Sequence, residues 1–223
     1  KKQLKMKKNL YRVLGILALS FLVISCGKDK PVTSEANEVL TETDGVLYKV
    51  DTMNSRIEWK GYKVLKSDQT THFGSIKFES GDVTVKDGKL QSGKFVADIT
   101  TLENIDLKDD QEMKAKLEGH LKSGDFFEVE KFPTASYEIT KVTENTAGDY
   151  NTLLEGNLTI KGITKPVQFK ANVTVADGNV SIASEPTDIN REDFGLKFEL
   201  PLENGLLNKE INLQILVKAL ESK

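Results

Sequence analysis

Residues 119–137 read GHLKSGDFFEVEKFPTASY and predict a corner between a helix and a β-sheet. Gly119 comes directly after an apolar helical stripe and can take the left-handed conformation with which many helices end. The aromatic pair Phe126 and Phe127 follows. After Pro133, apolar and polar residues alternate with the two-residue period of a half-buried strand. The stretch therefore indicates a helix that ends beside a sheet, with aromatic side chains covering the sheet's open end.

The rest of the chain from residue 48 onwards reads as a series of strands. Runs with a two-residue period recur at intervals of roughly ten residues, and one helix is expected at residues 109–118. Turn signals separate the runs at Gly81-Asp82, Asp87-Gly88, Gly162 and Asp177-Gly178. This pattern predicts a mainly β, antiparallel sandwich or barrel. An eight-stranded barrel has room for packed side chains or for one slender ligand, and the alternation alone does not separate a filled core from a lumen.

Three blocks of the sequence, in the same order, resemble the YceI-like family of secreted lipid-binding proteins. The first block is matched by Gly119, His120, Leu121, Ser123, Asp125, Phe126, Phe127, Val129, Lys131, Pro133, Thr134 and Ala135. The other two are GNLTIKGITKPVQF at residues 156–169 and Arg-x-Asp-Phe-Gly at residues 191–195. Residues 57–59 and 72–74 also fit, so that the resemblance covers residues 48–220, nearly the whole chain after the N-terminal segment.

The resemblance implies an extended, lipocalin-like, antiparallel β-barrel of eight strands with one main helix and short helical turns. It also implies a long apolar ligand, often an isoprenoid, inside the barrel. The polar candidates for the mouth of such a pocket are His120 and Arg191. The candidates that would line the lumen are Trp59, Phe78, Phe95, Phe126, Phe127, Tyr137, Leu158, Phe169 and Ile215.

The N-terminus predicts export and lipidation. Residues 1–12 carry six positive charges and no acid, and residues 13–24 form an apolar run that is too short to span a bilayer. The sequence Val-Ile-Ser-Cys that ends at Cys26 resembles the bacterial lipobox, which makes residues 1–25 a signal peptide and Cys26 an acylated first residue; the alternative is a free thiol near a cleavage site. Met6 is a candidate start of this signal. Residues 26–45 are polar and predict a flexible tether to a barrel domain at residues 46–223.

Charge and cysteine content limit the partners. The full chain has 31 basic and 34 acidic residues, and without the six basic residues of the signal it has 25 against 34, a net charge near −9. This balance argues against nucleic acid as a partner and against electrostatic binding to anionic lipid. The acyl anchor alone is therefore expected to hold the protein at the membrane. Cys26 is the only cysteine, which leaves no thiol for disulfides, catalysis or a metal. Whether the chain forms a homodimer stays open.

No enzyme motif or metal-ligand cluster is present in the sequence, so neither catalytic nor metal-binding residues are expected. His72 and His120 lack a partner at helical or strand spacing. His120 is interpreted as a cap of the helix end, with a polar contact at the pocket mouth as the rival interpretation. Arg191 is interpreted as a structural residue that pairs with Asp193 or bonds loop carbonyls, with recognition of a ligand head group as the alternative.

The function expected from these observations is the binding, storage or transport of an isoprenoid, quinone-like or fatty-acyl chain in the cell envelope, on the periplasmic or surface side of the outer membrane. No cofactor other than this bound lipid is expected. One alternative from another class is an envelope scaffold or adhesion module with a solid core. A hydrolase that uses His120 with Asp125 is a third. A cavity inside the barrel would favour the lipid-binding function.

Overall fold

The computed structural model describes residues 36–39, 44–65, 68–144, 148–199 and 205–222. The predicted signal peptide, Cys26 and most of the predicted tether lie outside these residues. All described residues belong to one compact unit that extends from Ser34 to Lys223. Its elements are β1 (Val46–Val50), β2 (Arg56–Leu65), β3 (Asp68–Lys86), β4 (Lys89–Asn104), α1 (Gln111–Lys122), β5 (Thr134–Glu144), β6 (Thr152–Ile160), β7 (Ile163–Ala176), β8 (Asn179–Ser184), β9 (Thr187–Asn190), a 3-10 turn (Arg191–Phe194) and β10 (Gly205–Glu221).

The sheet closes into a ring in which every pairing is antiparallel. The hydrogen-bonded order runs β10-β2-β3-β4-β5-β6-β7-β8, and β8 pairs with β10 again. β1 lies between β10 and β3 beyond the end of β2, and β9 pairs with β10 beyond the end of β8. The described residues therefore form a barrel of eight strand positions with two short extra strands, which confirms the predicted fold.

Three hairpins are closed by two-residue loops in which both residues have positive φ. The loops are Asp87-Gly88 (φ 52° and 74°), Lys161-Gly162 (52° and 74°) and Asp177-Gly178 (51° and 71°). Turns of this kind match the twist of the flanking strands, and glycine adopts a positive φ without steric cost. The predicted turn at Gly81-Asp82 is wrong, because both residues continue β3 and pair with Phe95 and Lys94 of β4.

One part of the barrel interior is filled with large side chains. The rings of Phe78 and Phe95 lie 6.1 Å apart, and those of Tyr137 and Phe169 lie 5.2 Å apart in an edge-to-face arrangement. The hydroxyl of Tyr137 donates to the carbonyl oxygens of Leu154 and Val167, at 3.2 and 3.1 Å. Burial raises the pKa of Tyr137, and the charge of Glu155 adds to this effect. This part of the barrel is a packed, hydrogen-bonded core.

Asn37, in the segment before β1, is hydrogen-bonded to the barrel. The backbone N–H of Asn37 donates to Oδ1 of Asn157 at 2.9 Å, and Nδ2 of Asn157 donates to the carbonyl oxygen of Asn37 at 2.7 Å. Asn157 is almost fully buried in β6, so its side chain is held in place. Asn37, which belongs to the predicted tether, is therefore fixed to the barrel by its backbone, although residues 36–39 are exposed.

The helix α1 extends further than the sequence predicts. Its N-cap Asp110 accepts a hydrogen bond from the backbone N–H of Met113 at 3.0 Å. Gly119 was expected to end the helix but lies inside it, and its φ is not positive. The helix ends at Lys122 because both the backbone N–H and the hydroxyl of Ser123 donate to the carbonyl oxygen of His120. Within the described part of the chain, no helix has both the length and the apolar character needed to cross a membrane.

Replacement of Gly119 tests its conformation. Gly119→Ala should raise the free energy of unfolding by about 0.5–1 kcal/mol, because alanine loses less backbone entropy in a helix and its Cβ meets no atom within 4 Å. The measurement is urea unfolding followed by circular dichroism. Gly88→Ala is the matched control, since its site is equally open but has a φ of 74°, and this variant should be less stable than the wild type. A loss of stability in Gly119→Ala would instead support a left-handed backbone conformation at Gly119.

Candidate functional site

A cavity of about 410 Å³ lies between α1 and the inner face of β2, β3 and β10. This volume falls within the range of about 300–1,000 Å³ that is usual for small-molecule sites. Most of the residues that line it are apolar or aromatic. The described lining residues are Trp59, Gly61, Tyr62, Lys63, His72, Ile76, Leu102, Leu107, Met113, Lys116, Leu117, His120, Leu121, Phe126, Phe127, Arg191, Phe198, Leu207, Asn208, Ile211 and Leu213.

The sheet side of the cavity consists of three successive cross-strand rows. From β10 through β2 to β3 the rows are Leu213–Trp59–Gly74, Ile211–Gly61–His72 and Leu207–Lys63–Thr70. Because side chains alternate between the two faces of a strand, Trp59, Gly61 and Lys63 share one face of β2. The wall therefore changes along β2 from an aromatic residue, through an open position, to a cation.

Two glycines in these rows have different roles. At Gly74 a Cβ would lie 1.8 Å from the carbonyl oxygen of Glu103 and 2.8 Å from Cζ2 of Trp59, so only glycine lets β4 and the indole approach so closely. At Gly61 a Cβ would meet no atom within 4 Å. A glycine inside a strand often marks a place where another group approaches the backbone closely. Gly61 leaves space in the cavity wall.

The helix side of the cavity is the apolar stripe of α1. Met113, Leu117 and Leu121 recur every four residues and thus lie on one face of the helix, together with His120. Phe126 and Phe127 follow the helix, with their rings 5.2 Å apart, and lie at this end of the barrel as the sequence predicted. The helix and the two rings close the cavity opposite the sheet.

His120 packs against aromatic rings. Its imidazole lies 4.4 Å from the ring of Phe198 in an edge-on contact and 6.3 Å from that of Phe126. The ring makes no hydrogen bond to a carbonyl at the end of α1, so the predicted capping role is wrong, and the side chain lies in the cavity wall instead. No hydrogen bond joins the described side chains of His120 and Asp125.

His72, the other histidine of the chain, is held by a carboxylate that the sequence analysis missed. Its Nδ1 lies 2.8 Å from Oδ2 of Asp106. Oδ1 of Asp106 accepts from the backbone N–H of Phe73 at 2.8 Å and from Nδ2 of Asn104 at 2.5 Å. Burial acts to raise the pKa of Asp106, but the hydrogen bonds from Phe73, His72 and Asn104 outweigh it, and the pKa lies below its usual value. An ionised Asp106 accepts from Nδ1–H, which leaves Nε2 of His72 as the ring nitrogen available to a ligand.

Arg191 is almost fully buried in the 3-10 turn before β10 and contacts backbone oxygens. Its Nε donates to the carbonyl oxygen of Asn208 at 2.9 Å and its Nη1 to that of Leu196. Burial lowers the pKa of Arg191, whereas the charges of Glu192 and Glu199 oppose this shift. The predicted pair with Asp193 is wrong, because the carboxylate of that residue accepts from Nδ2 of Asn190. The other form of the structural interpretation, an arginine that bonds loop carbonyls, is confirmed.

The comparison with known families agrees with this architecture. The model of the YceI-like domain matches residues 48–219. This protein belongs to the YceI-like family. The match confirms the resemblance found in the sequence over residues 48–220.

Relatives of this YceI-like protein are UPF0312 proteins. One from Shewanella denitrificans is 26% identical over 222 residues, which are 97% of this chain and 100% of that protein. Those of Staphylococcus aureus and Pseudomonas paraeruginosa are 35% and 36% identical over 105 and 113 residues, 44% and 48% of this chain. The last two matches cover 57% and 54% of the relatives, so this chain spans about half the length of each.

Two solved structures share the YceI-like fold of this chain. The crystal structure of Burkholderia cenocepacia BcnA has a TM-score of 0.57 at 17% identity and covers 76% of this chain and 98% of that one. A polyisoprenoid-binding domain from Saccharophagus degradans, implicated in plant cell wall breakdown, has a TM-score of 0.52 at 13% identity and covers 79% and 99%. At these identities the similarity shows the fold.

The cavity of this YceI-like barrel includes only part of the predicted lumen. Trp59, Phe126 and Phe127 line it, and so do the mouth candidates His120 and Arg191. The other six candidates are corrected, since they pack in the core and do not line the cavity: Phe78, Phe95, Tyr137, Leu158, Phe169 and Ile215. These six side chains pack against other side chains of the barrel, whereas Trp59 faces the space between the sheet and α1.

Several residues of the site carried little signal in the sequence. Gly61 lies inside a strand with no turn signal beside it. This unexplained glycine was the sequence feature that could have indicated the cavity. The indole N–H of Trp59 is the one buried side-chain N or O atom without a hydrogen-bond partner among the residues that the structure describes. The same residues contain no group of three or more His, Cys, Asp or Glu side chains placed to hold a metal ion.

The hydrogen bonds of Asp106 predict a pH-dependent contribution to stability. Because its pKa is lowered in the folded state, the stabilisation is present above the unfolded value of about 4 and is lost as the pH falls through the folded pKa. Asp106→Asn should lower the free energy of unfolding by about 1–3 kcal/mol at pH 7 and by less at pH 3. Urea unfolding at both pH values measures this. Asp109→Asn, at an exposed site in the same loop, is the control, and an equal loss at both pH values would contradict the assignment.

Proposed function

We propose that this protein binds a long apolar ligand, of the isoprenoid, quinone-like or fatty-acyl class, and stores or carries it in the cell envelope without catalysis. The observation that carries the proposal is the cavity between α1 and the sheet, whose wall is mostly apolar. Apolar cavities with a few polar groups are the usual sites for such ligands. That the similar domain of Saccharophagus degradans binds polyisoprenoids supports the same class of ligand.

The size of the cavity is compatible with useful affinity. Each buried CH2 group contributes about 0.8 kcal/mol, so a chain of ten carbons offers about 8 kcal/mol before the losses of motion are subtracted. These losses remove a large part of the gain. A slender hydrocarbon chain would lie between Trp59 and the stripe of α1, and the packed core formed by Phe78, Phe95 and their neighbours would set how deep it enters.

The polar groups of the cavity support binding and not reaction. A hydrolytic mechanism requires a nucleophile beside a base. His72 has an orienting carboxylate in Asp106, but the described lining residues include no serine, threonine or cysteine. The envelope scaffold with a solid core is disfavoured by the cavity itself.

We propose that the protein is held at a membrane through Cys26, as an acylated lipoprotein of the cell envelope. The support is the basic segment at residues 1–12, the apolar run at residues 13–24 and the lipobox-like sequence that ends at Cys26. A single acyl chain gives only marginal membrane binding, so stable anchoring needs more than one chain.

Substitution of the cysteine tests the anchor. Cys26→Ser should abolish incorporation of labelled palmitate and move the protein from the membrane to the soluble fraction, because the chain has no other cysteine to modify. Metabolic labelling followed by fractionation measures both effects. Labelling of the serine variant at the wild-type level would contradict acylation at this residue.

Filling the cavity tests the binding function. Gly61→Phe places a ring where the wall is open, so the variant should fold normally, as phenylalanine favours strands. We expect its affinity for farnesol to fall by about tenfold or more, which corresponds to the loss of about two buried CH2 groups. Retention of radiolabelled farnesol measures the affinity, and the melting temperature checks the fold.

The matched control is Gly124→Phe, at an exposed position outside the cavity where a Cβ also meets no atom within 4 Å. This variant should bind farnesol as the wild type does. Equal binding by Gly61→Phe and the wild type would show that the ligand does not occupy this cavity.

A further inference from the structure

The charges that line the cavity all have one sign. Among the described lining residues are Lys63, Lys116 and Arg191, besides the two histidines, and there is no aspartate or glutamate. The chain as a whole has more acidic than basic residues, 34 against 31. Charges placed without regard to sign would bring carboxylates to this wall as often as cations. The cavity is therefore selectively cationic.

The two lysines of the wall are not engaged by carboxylates, as several other lysines of the barrel are. Lys94, Lys114 and Lys141 each lie within 2.9 Å of a glutamate oxygen. Lys63 and Lys116 form no ion pair with any residue that the structure describes. Arg191 differs from both, because carbonyl oxygens already accept from its Nε and Nη1. Two ammonium groups at the edge of an apolar cavity thus remain available to an anion.

Two further polar groups lie along the same face of the sheet. His72 is in the row next to Lys63, and Asp106 fixes its ring through Nδ1. When the hydrogen of the ring is on Nδ1, Nε2 is an acceptor and does not donate to an anion. The indole N–H of Trp59, one row further along, has no described acceptor, but it is buried and closed to a ligand in the cavity. Lys63 and Lys116 are therefore the groups of this wall that can bind an anion.

We propose that the occupant of the cavity is an amphiphile whose head group is an anionic hydrogen-bond acceptor, a carboxylate or a phosphate, and that Lys63 and Lys116 hold this head while the chain lies along the apolar wall. This inference rests on the proposed function. The apolar surroundings strengthen the attraction, because charges interact more strongly where water is excluded. An amphiphile with a neutral head group can still bind, but its anionic counterpart binds more tightly.

The test compares ligands that differ only in the charge of the head. The full chain is titrated with farnesyl phosphate against farnesol and with hexadecanoate against methyl hexadecanoate, at low salt, and the fluorescence of Trp59, the only tryptophan of the chain, reports binding. We expect the anionic member of at least one pair to bind about tenfold more tightly. A preference in the first pair alone identifies a phosphate head, and one in the second alone identifies a carboxylate.

Variants locate the preference. In the double variant Lys63→Gln/Lys116→Gln, the preference for the anionic ligand should fall to about twofold or less. The double variant Lys63→Arg/Lys116→Arg should retain this preference because the charges remain. The control is Lys60→Gln/Lys77→Gln, which removes the same two charges from exposed positions of β2 and β3 outside the cavity. This control should keep the full preference, so that a nonspecific effect of net charge is separated from the effect of the site.

The outcomes separate this inference from the proposed function. Equal affinity of the wild type for charged and neutral ligands would overturn the anionic head and leave apolar binding intact. The same preference in both glutamine double variants would also overturn it. Failure of the wild type to bind any of the four ligands would overturn the proposed function together with the inference.

Discussion

Closure of the barrel by β10 is the constraint on which the rest of the structure depends. This strand has 17 residues and pairs along one edge with β2 and β1 and along the other with β8 and β9. A strand paired on both edges leaves few unsatisfied backbone groups, and a closed sheet has no free edge. Arg191 contributes to this closure, because it bonds carbonyl oxygens at Leu196 and Asn208 on either side of the connection into β10. The cavity exists because β10 and β2 hold their inner faces opposite α1.

The division of the interior into a packed part and an open part follows from what each strand faces. Side chains such as Phe78 and Tyr137 meet aromatic partners across the barrel and leave no space. Trp59 and Gly61 belong to the same alternating pattern but face the helix, where Gly61 contributes no side chain. The packed core and the cavity thus occupy different parts of the same barrel.

Much of the fold could be predicted from local sequence, because a two-residue period and turns such as Asp87-Gly88 and Asp177-Gly178 are local signals. The site depended on contacts between distant residues. His72 and Asp106 are 34 positions apart, and neither is marked as a partner by spacing. Gly119 was misinterpreted because glycine fits both a helix and a left-handed cap, and the choice was made by Ser123, which lies beyond it and bonds the last turn. Core and lumen residues share one alternation, so only the position of α1 distinguishes them.

If Cys26 is acylated as we propose, the contact between Asn37 and Asn157 limits how far the barrel can move from it. While this contact holds, 11 residue steps separate Cys26 from Asn37, and an extended chain of that length spans at most about 39 Å. If the contact opens, 20 steps lead from Cys26 to the first residue of β1, which corresponds to about 70 Å. Two hydrogen bonds at one buried asparagine, with the exposed ion pair of Asp44 and Lys86, would therefore limit the distance between the barrel and such an anchor.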